Sequence, residues 1–337
     1  MKHAFTSLAL AGTLVSTLAL SAAAQEVVTV NFATFLPDTV LQRQNITDFL
    51  EQVKQDSNGT LDYRVFFGGT LGRNPAEQLT LVQNGVADMS IVLTSYTPGA
   101  YDDYGVAELA LADNALEASV GIWNAFEQGL LPTPAGTHII AVYANGQNVP
   151  HLAEPFATLE DLAGRRVRAA GNGFAALAER LGMIPVSIPA SSIAESINSG
   201  VIGGAVMDWG AVQAFRVSEV TTHHLDYAFG SLPSLIVINE GTWNRLSDDA
   251  RAAFERHGGR AYAEYAGANG DAYAQEIRAS VLAGDGQVNI VPEGEMRATL
   301  DSMAQEVAAN WVAAGENRQA VVDAFTAGVA SVAGHNQ

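Results

Sequence analysis

The chain has 337 residues, 48% of them hydrophobic and 16% charged, which indicates a globular protein with about two domains and excludes a disordered one. Cysteine is absent, which excludes disulfides, thiolate metal sites, a cysteine nucleophile and a lipidated N-terminal cysteine. The formal net charge of -19 argues against nucleic acid and anionic membranes as partners, because both bind basic patches.

Residues 1–24 have the pattern of a secretory signal peptide. Lys2 and His3 precede an apolar stretch over residues 8–20, and the alanines at 22–24 form an A-x-A cleavage site. We therefore predict cleavage after Ala24 and a periplasmic location. No later segment approaches the run of roughly 18 apolar residues that a membrane span needs.

The first half of the chain alternates between strands and helices. The predicted elements are a strand over residues 27–33, a helix over 40–56, a strand over 61–67, a helix from Pro75 to about 84, and a strand over 88–94. Alternation of this kind is typical of an α/β domain with a largely parallel sheet.

The second half repeats the pattern. A turn and a strand over residues 159–168, a helix over 174–181, a strand over 185–188 and a helix over 193–199 follow one another. Residues 199–206 resemble residues 84–91, since in both a helix ends on glycine and a buried strand begins almost at once. Two similar α/β lobes in one exported chain imply a cleft between them.

The last third of the chain is mostly helical. We predict a strand over residues 235–239, a short helix over 242–246, a long helical region over 249–283, a strand over 288–291, and helices over 296–314 and 318–332. Ser247 is the expected N-cap of the long region. Met303, Val307 and Trp311 recur at four-residue spacing, which indicates core packing.

Three arginines lie within four positions, at Arg165, Arg166 and Arg168. A guanidinium at the end of a strand offers a planar fork of donors that fits a carboxylate. Arg168 is therefore the candidate for an anion site inside an acidic protein. Arg165 and Arg166 are more simply interpreted as surface residues that pair with neighbours such as Asp161.

Five segments carry a family resemblance when taken in order. They are GTLG at 69–72, QNGVADM at 83–89, DLAGRRVR at 161–168, LGMIPV at 181–186 and NSGVIGG at 198–204. In order and spacing they resemble the solute-binding subunit of tripartite ATP-independent periplasmic (TRAP) transporters, of the dicarboxylate-binding (DctP) type. The resemblance extends from about residue 27 to about residue 325.

The resemblance implies a two-lobed periplasmic binding protein fold of the α/β class, with a ligand cleft between the lobes and a long helix spanning both. Lobe I would comprise residues 25–145 and 233–282, and lobe II residues 146–232 and 283–330. The lobes of such proteins close on the solute by a hinge, which we expect near residues 144–146 and 230–233.

The resemblance also implies a function. Such proteins bind a solute without catalysis, and the closed form delivers it to the small and large subunits of a membrane permease. Arg168 falls on the position whose guanidinium holds the solute's carboxylate. No catalytic residue, metal or cofactor is implied, and a monomer is the default state.

The rest of the ligand is expected to contact side chains on both lobes. These candidates are Phe35, Tyr96, Asn148, Phe174, Met207, Asp208 and Trp209. Packing is an equal alternative for the aromatic residues, because large aromatics usually fill cores. Three roles stay open for Asp208: an ion pair with Arg168, a helix cap, or a ligand contact.

Positions at which the sequence departs from the family pattern reduce the range of solutes to be expected. Met207 stands at a cleft asparagine position, Asn148 where sugar-acid binders have a second arginine, and Ala190 near a pocket phenylalanine position. The sialic-acid pattern is therefore not met. We expect first a small monocarboxylate with an apolar or aromatic body, then a dicarboxylate or 2-oxo acid, then a sulfonate.

Three rival functions stay open. Residues 68–72 superficially match the nucleophile elbow of an exported hydrolase, with Thr70 as nucleophile and His257 as base, although the motif requires an immediate helix. His223, His224 and Asp226 suggest a metal site, although adjacent residues rarely aim at one ion. A solute receptor that serves a sensor kinase would have the same fold.

Overall fold

The computed structural model describes residues 27–333. Within that range the strands are β1 (Val28–Ala33), β2 (Leu61–Phe66), β3 (Met89–Leu93), β4 (Thr137–Leu152), β5 (Arg166–Arg168), β6 (Ile184–Val186), β7 (Gly204–Met207), β8 (His223–Leu225), β9 (Gly230–Asn239) and β10 (Val288–Ile290).

The α-helices of the same range are α1 (Val40–Gln42), α2 (Phe49–Asp56), α3 (Gln78–Gln83), α4 (Ala115–Glu127), α5 (Asn172–Arg180), α6 (Ile193–Asn198), α7 (Trp209–Ala214), α8 (Glu240–Arg245), α9 (Asp248–His257), α10 (Gly259–Leu282), α11 (Gly294–Ala313) and α12 (Arg318–Ala333). A π-helical segment, Arg43–Asp48, joins α1 to α2.

The strands form two sheets that share β4. The first sheet has the order β2-β1-β3-β9-β4 and the second the order β10-β8-β4-β7-β5-β6. Residues 137–148 of β4 pair with β9, residues 149–152 pair with β7, and residues 151 and 152 also pair with β8. The register of β4 against β9 shifts between Ala144 and Gln147, so the strand bulges where it passes between the sheets.

Helix α10 spans both lobes. Tyr262, Ala263 and Ala266 in its first half pack in the core of the first sheet. Ile277 and Val281 in its second half pack against Val149 of β4 and against Trp209 at the start of α7. The burial of these positions along one 24-residue helix ties the two lobes together.

The long helical region predicted over 249–283 is two helices in the structure. Ser247 caps the first, α9, as expected: its Oγ accepts a hydrogen bond from the Ala250 amide at 3.0 Å. The break lies at Gly258 and Gly259, where Gly259 has φ of +55°. A Cβ on Gly258 would lie 2.6 Å from the carbonyl oxygen of Ile140, so glycine permits this close approach to β4.

None of the helices in residues 27–333 combines the length and the apolar character that a membrane-spanning helix needs. The signal peptide and the cleavage site predicted at Ala24 lie outside the described residues.

Candidate ligand-binding site

A cavity lies between the two sheets, where the carboxyl ends of their parallel strands face one another. The space open to the centre of a water-sized sphere is about 90 Å³. Its wall includes Arg168 and Met207, which end β5 and β7, and Phe35 and Tyr96, which lie in the loops just after β1 and β3. Ligands of open α/β sheets bind at this end of the strands, because the connecting loops diverge there.

Arg168, the last residue of β5, is 2% exposed and lines the cavity. Its Nη2 donates to the hydroxyl of Tyr96 at 2.8 Å. Its Nε and Nη1 make longer contacts with the carbonyl oxygens of Ile188 and Val206, at 3.4 and 3.5 Å. No ion pair of Arg168 occurs within residues 27–333. A buried guanidinium that forms no ion pair is unfavourable, so an anion bound in the cavity would stabilise it.

Tyr96 supplies the second polar group of the cavity. It ends the turn Thr94–Tyr96 after β3, and its ring meets that of Phe35 edge-on, with centroids 6.5 Å apart. Since Arg168 donates to the phenol oxygen, the phenol's own proton stays free for an acceptor. Tyr96 and Phe35 therefore form one aromatic wall beside the guanidinium.

Asp208, of the three roles left open, caps a helix. Its Oδ1 accepts a hydrogen bond from the Ala211 amide at 2.9 Å, at the start of α7. Burial raises the pKa of Asp208, and the backbone amides of α7 and the charge of Arg168 act against that shift. A Cβ on Gly146 or Gly210 would lie 3.1 Å from the Asp208 side chain, so this carboxyl is closely surrounded.

Asn148 and Met207 complete the predicted residues that line the cavity. Asn148 is fully buried, and its Nδ2 donates to the carbonyl oxygen of Gly146 at 3.0 Å. Met207, the last residue of β7, is 2% exposed. Six of the predicted residues are thus brought together: Phe35, Tyr96, Asn148, Arg168, Met207 and Asp208.

The structure gives Phe174 and Trp209 packing roles in place of the expected ligand contact. Phe174 is fully buried in the core between the second sheet and α5. Trp209 directly follows the capping residue Asp208 and does not line the cavity. Its ring packs edge-on against His151, with centroids 4.7 Å apart, and against His224 at 4.9 Å.

Several residues of the cavity wall were missed by the sequence analysis. Ala266, Gly270 and Tyr273 of α10 line it, and their spacing of four and three residues is a helical stripe that the sequence contains. Tyr143 and Asn145 of β4 line it as well, but no periodic signal marks them.

The residues of the rival functions have other partners. The hydroxyl of Thr70 donates to the carbonyl oxygen of Phe67, whereas His257 contacts Asp56 at 2.8 Å. His224 is fully buried, and its Nδ1 lies 2.7 Å from the Nδ1 of His151. Across residues 27–333 no group of three or more His, Asp or Glu side chains has the arrangement of a metal site.

Comparisons with known proteins agree with this geometry. The chain is 23% identical over 253 residues to the C4-dicarboxylate-binding periplasmic protein DctP of Rhodobacter capsulatus, covering 74% of this chain and 76% of that one.

Two crystal structures share the fold. One is a marine metagenome TRAP solute binding protein specific for aromatic acid ligands, in complex with 3-hydroxybenzoate (TM-score 0.83, 22% identity, 91% of this chain and 99% of that chain). The other is a TRAP solute binding protein from Rhodoferax ferrireducens T118 with copurified benzoate (TM-score 0.82, 23% identity, 92% and 100%). The predicted two-lobed fold is confirmed.

The model of the DctP family, described as bacterial extracellular solute-binding protein, family 7, matches residues 32–313. The match includes every cavity residue named above and both sheets apart from the first four residues of β1. The resemblance stated from the sequence is thereby confirmed, and the chain belongs to the DctP family of extracellular solute-binding proteins.

Proposed function

We propose that this protein is a periplasmic receptor that captures a small organic acid anion, a monocarboxylate with an apolar or aromatic body, and delivers it to a TRAP permease. The observation that carries the proposal is the guanidinium of Arg168, which is 2% exposed, lines the cavity and forms no ion pair within residues 27–333.

The charge of the ligand follows from that observation. A carboxylate taken out of water loses several kcal/mol of hydration, about what a well-placed guanidinium with further donors returns. Arg168 supplies the charge, and the phenol proton of Tyr96 supplies a second donor next to it. An anion held by both groups would have its negative charge compensated without leaving a buried donor unpaired.

The rest of the cavity wall indicates what the uncharged part of the ligand is like. Phe35, Leu36, Met207, Phe215 and Leu232 give the cavity apolar surface, and its small volume favours one ring or a short chain. Similar proteins are known with 3-hydroxybenzoate and benzoate. A C4-dicarboxylate, as in the name of the Rhodobacter capsulatus relative, would need a second cation. No other lysine or arginine of the described range lines this cavity.

A panel of solutes tests the proposal. Thermal unfolding is measured with benzoate, 3-hydroxybenzoate, succinate, benzamide and glucose, since bound ligand stabilises by about 2.7 kcal/mol at a hundredfold excess over Kd. We expect stabilisation by the aromatic acids, less by succinate, and none by benzamide, which has the shape of benzoate without its charge. Stabilisation by benzamide or glucose with none by the acids would overturn the proposal.

The remaining parts of the proposal concern the assembly. We propose that the mature chain begins after Ala24, that it acts as a monomer without catalysis or cofactor, and that its partners are the small and large permease subunits. Lobe I comprises residues 25–145 and 233–282, and lobe II residues 146–232 and 283–330. The hinge positions near 144–146 and 230–233 are supported by the register shift between Ala144 and Gln147.

A further inference from the structure

A buried carboxylate outside the cavity joins the two lobes. Glu108 ends the 3-10 helix Asp102–Glu108, which follows β3 of the first sheet, and it is 4% exposed. Its Oε1 accepts from the hydroxyl of Ser95 at 2.5 Å, and its Oε2 accepts from the amide of Gly173 at 2.9 Å. Gly173 lies in the first turn of α5, which follows β5 of the second sheet.

Each end of this contact is next to a cavity residue. Ser95 directly precedes Tyr96, and the segment from β5 to α5 begins directly after Arg168. Tyr96 and Arg168 are themselves joined at 2.8 Å across the cavity. Glu108 therefore closes a ring of contacts that runs through Ser95, Tyr96, Arg168 and the start of α5.

The surrounding backbone is shaped to admit this side chain. A Cβ on Gly171 would overlap the carboxyl group of Glu108, and one on Gly173 would lie 2.8 Å from the Glu108 Cβ. A Cβ on Gly230, which has φ of +126°, would lie 2.6 Å from the Glu108 carbonyl oxygen. Three glycines at one contact permit an approach that other residues would block.

The chemistry also suits a carboxyl group. The first amides of a helix lack acceptors within the helix and favour a negative group near them. Burial raises the pKa of Glu108, while the Ser95 hydroxyl and the amides of Gly173 and Asn172 act in the opposite direction. The two carboxyl oxygens of Glu108 therefore accept hydrogen bonds from two different lobes.

We propose that Glu108 is a positioning residue for ligand binding: its carboxyl group holds Ser95 and the start of α5 at a fixed separation, and thereby holds Tyr96 and Arg168 in register around the ligand's carboxylate. The inference rests on the proposed function. Because the contact joins the lobes, it acts on the geometry of the anion site and not only on folding.

The test compares Glu108→Ala with Asp271→Ala. Asp271 is the matched control because its oxygens also accept from the first amides of a helix, Ala115 at 2.7 Å and Leu116 at 3.0 Å, within the first lobe. Kd for benzoate is measured by calorimetry at a temperature where circular dichroism shows each variant folded. We expect Kd to rise about tenfold or more for Glu108→Ala and to stay within about threefold for Asp271→Ala.

Two further variants separate positioning from stability. Glu108→Gln should keep Kd within about threefold, because its oxygen can accept from Gly173 while its amide donates to Ser95. Ser95→Ala retains the carboxyl at α5 and should raise Kd about threefold to tenfold with little change in Tm. It also serves if Glu108→Ala does not fold.

These measurements distinguish a failure of the proposed function from a failure of the positioning role. Wild-type protein that binds none of the organic acids overturns the proposed function itself. Benzoate binding by wild type with unchanged Kd in Glu108→Ala, or in Ser95→Ala, overturns the positioning role alone. Equal losses of affinity in Glu108→Ala and Asp271→Ala also overturn it, because they would reflect general destabilisation.

Discussion

Tyr96 and Arg168 come from different sheets and meet across the cavity, with the guanidinium donating to the phenol oxygen at 2.8 Å. Tyr96 follows β3 and Arg168 ends β5, so this hydrogen bond connects the two lobes at the point where we place the ligand's carboxylate.

Replacing Arg168 by lysine should weaken binding by about 2 kcal/mol or more, roughly thirtyfold in Kd, because an ammonium cannot present two parallel donors to a carboxylate. Calorimetric titration with benzoate measures the change. Arg166→Lys is the matched control, since Arg166 lies on the same strand but is exposed. Equal Kd values for the two variants would remove Arg168 from the anion site.

Tyr96→Phe keeps the aromatic wall and removes one hydroxyl. We expect Kd to rise about tenfold, because the anion loses the phenol donor and Arg168 loses its 2.8 Å partner. Tm should change by only a few degrees, since the residue is half-buried. A variant that binds benzoate as tightly as wild type would show that the phenol does not contact the anion.

Phe35→Leu and Phe174→Leu distinguish the cavity wall from the core. Phe174 is fully buried in the second lobe, so its replacement should lower stability by about 1–2 kcal/mol and leave Kd for benzoate within about threefold. Phe35 lines the cavity, so its replacement should mainly change Kd. Chemical denaturation and calorimetry on both variants give the comparison, and the reverse pattern would contradict the site described above.

His151 should make the protein sensitive to mild acid. Burial lowers the pKa of His151 from 6.5 to about 3, so below pH 6.5 the unfolded chain takes up a proton that the folded chain does not. Stability from this residue is therefore full above pH 6.5 and falls with pH, by about 2 kcal/mol at pH 5.

The variant His151→Gln checks this sign. Between pH 7.5 and pH 5 it should lose about 2 kcal/mol less unfolding free energy than wild type, measured by chemical denaturation. Parallel losses in the two proteins would mean that His151 does not remain neutral when folded.

Ligand should compact the protein if the lobes close on it. Small-angle scattering with and without saturating benzoate should give a smaller radius of gyration for the liganded wild type, because the ligand contacts both lobes only in the closed form. Arg168→Lys at the same benzoate concentration is the control. Compaction absent from wild type in the presence of confirmed binding would argue against closure.

The sequence identified Arg168 as a candidate for the cavity but missed part of the cavity wall. Arg168 could be predicted because a charged residue at the end of a buried strand is unusual, and because a family motif covers it. The packing of Trp209 could not be predicted, because its ring contacts His151 and His224, and His151 is distant from it in the sequence. Residue type alone does not tell on which side of a strand end an aromatic ring lies.

Strand β4 shows a second limit. Residues 145–150, Asn-Gly-Gln-Asn-Val-Pro, have poor strand propensity, so no strand was predicted there. The structure nevertheless extends β4 through them, because β9 and β7 supply partners on either side. Pairing between distant segments outweighs local preference, and a single sequence does not reveal such pairing.

That shared strand also affects the energetics of capture. Because β4 continues from one sheet into the other with only a bulge between Ala144 and Gln147, the lobes are joined at this crossing by hydrogen-bonded backbone on both sides of the bulge. Opening of the lobes must therefore twist β4, and this restricts the lobes to few relative orientations. The unliganded protein then loses little conformational entropy when the lobes close on the solute. A larger part of the free energy of the ligand contacts therefore contributes to affinity.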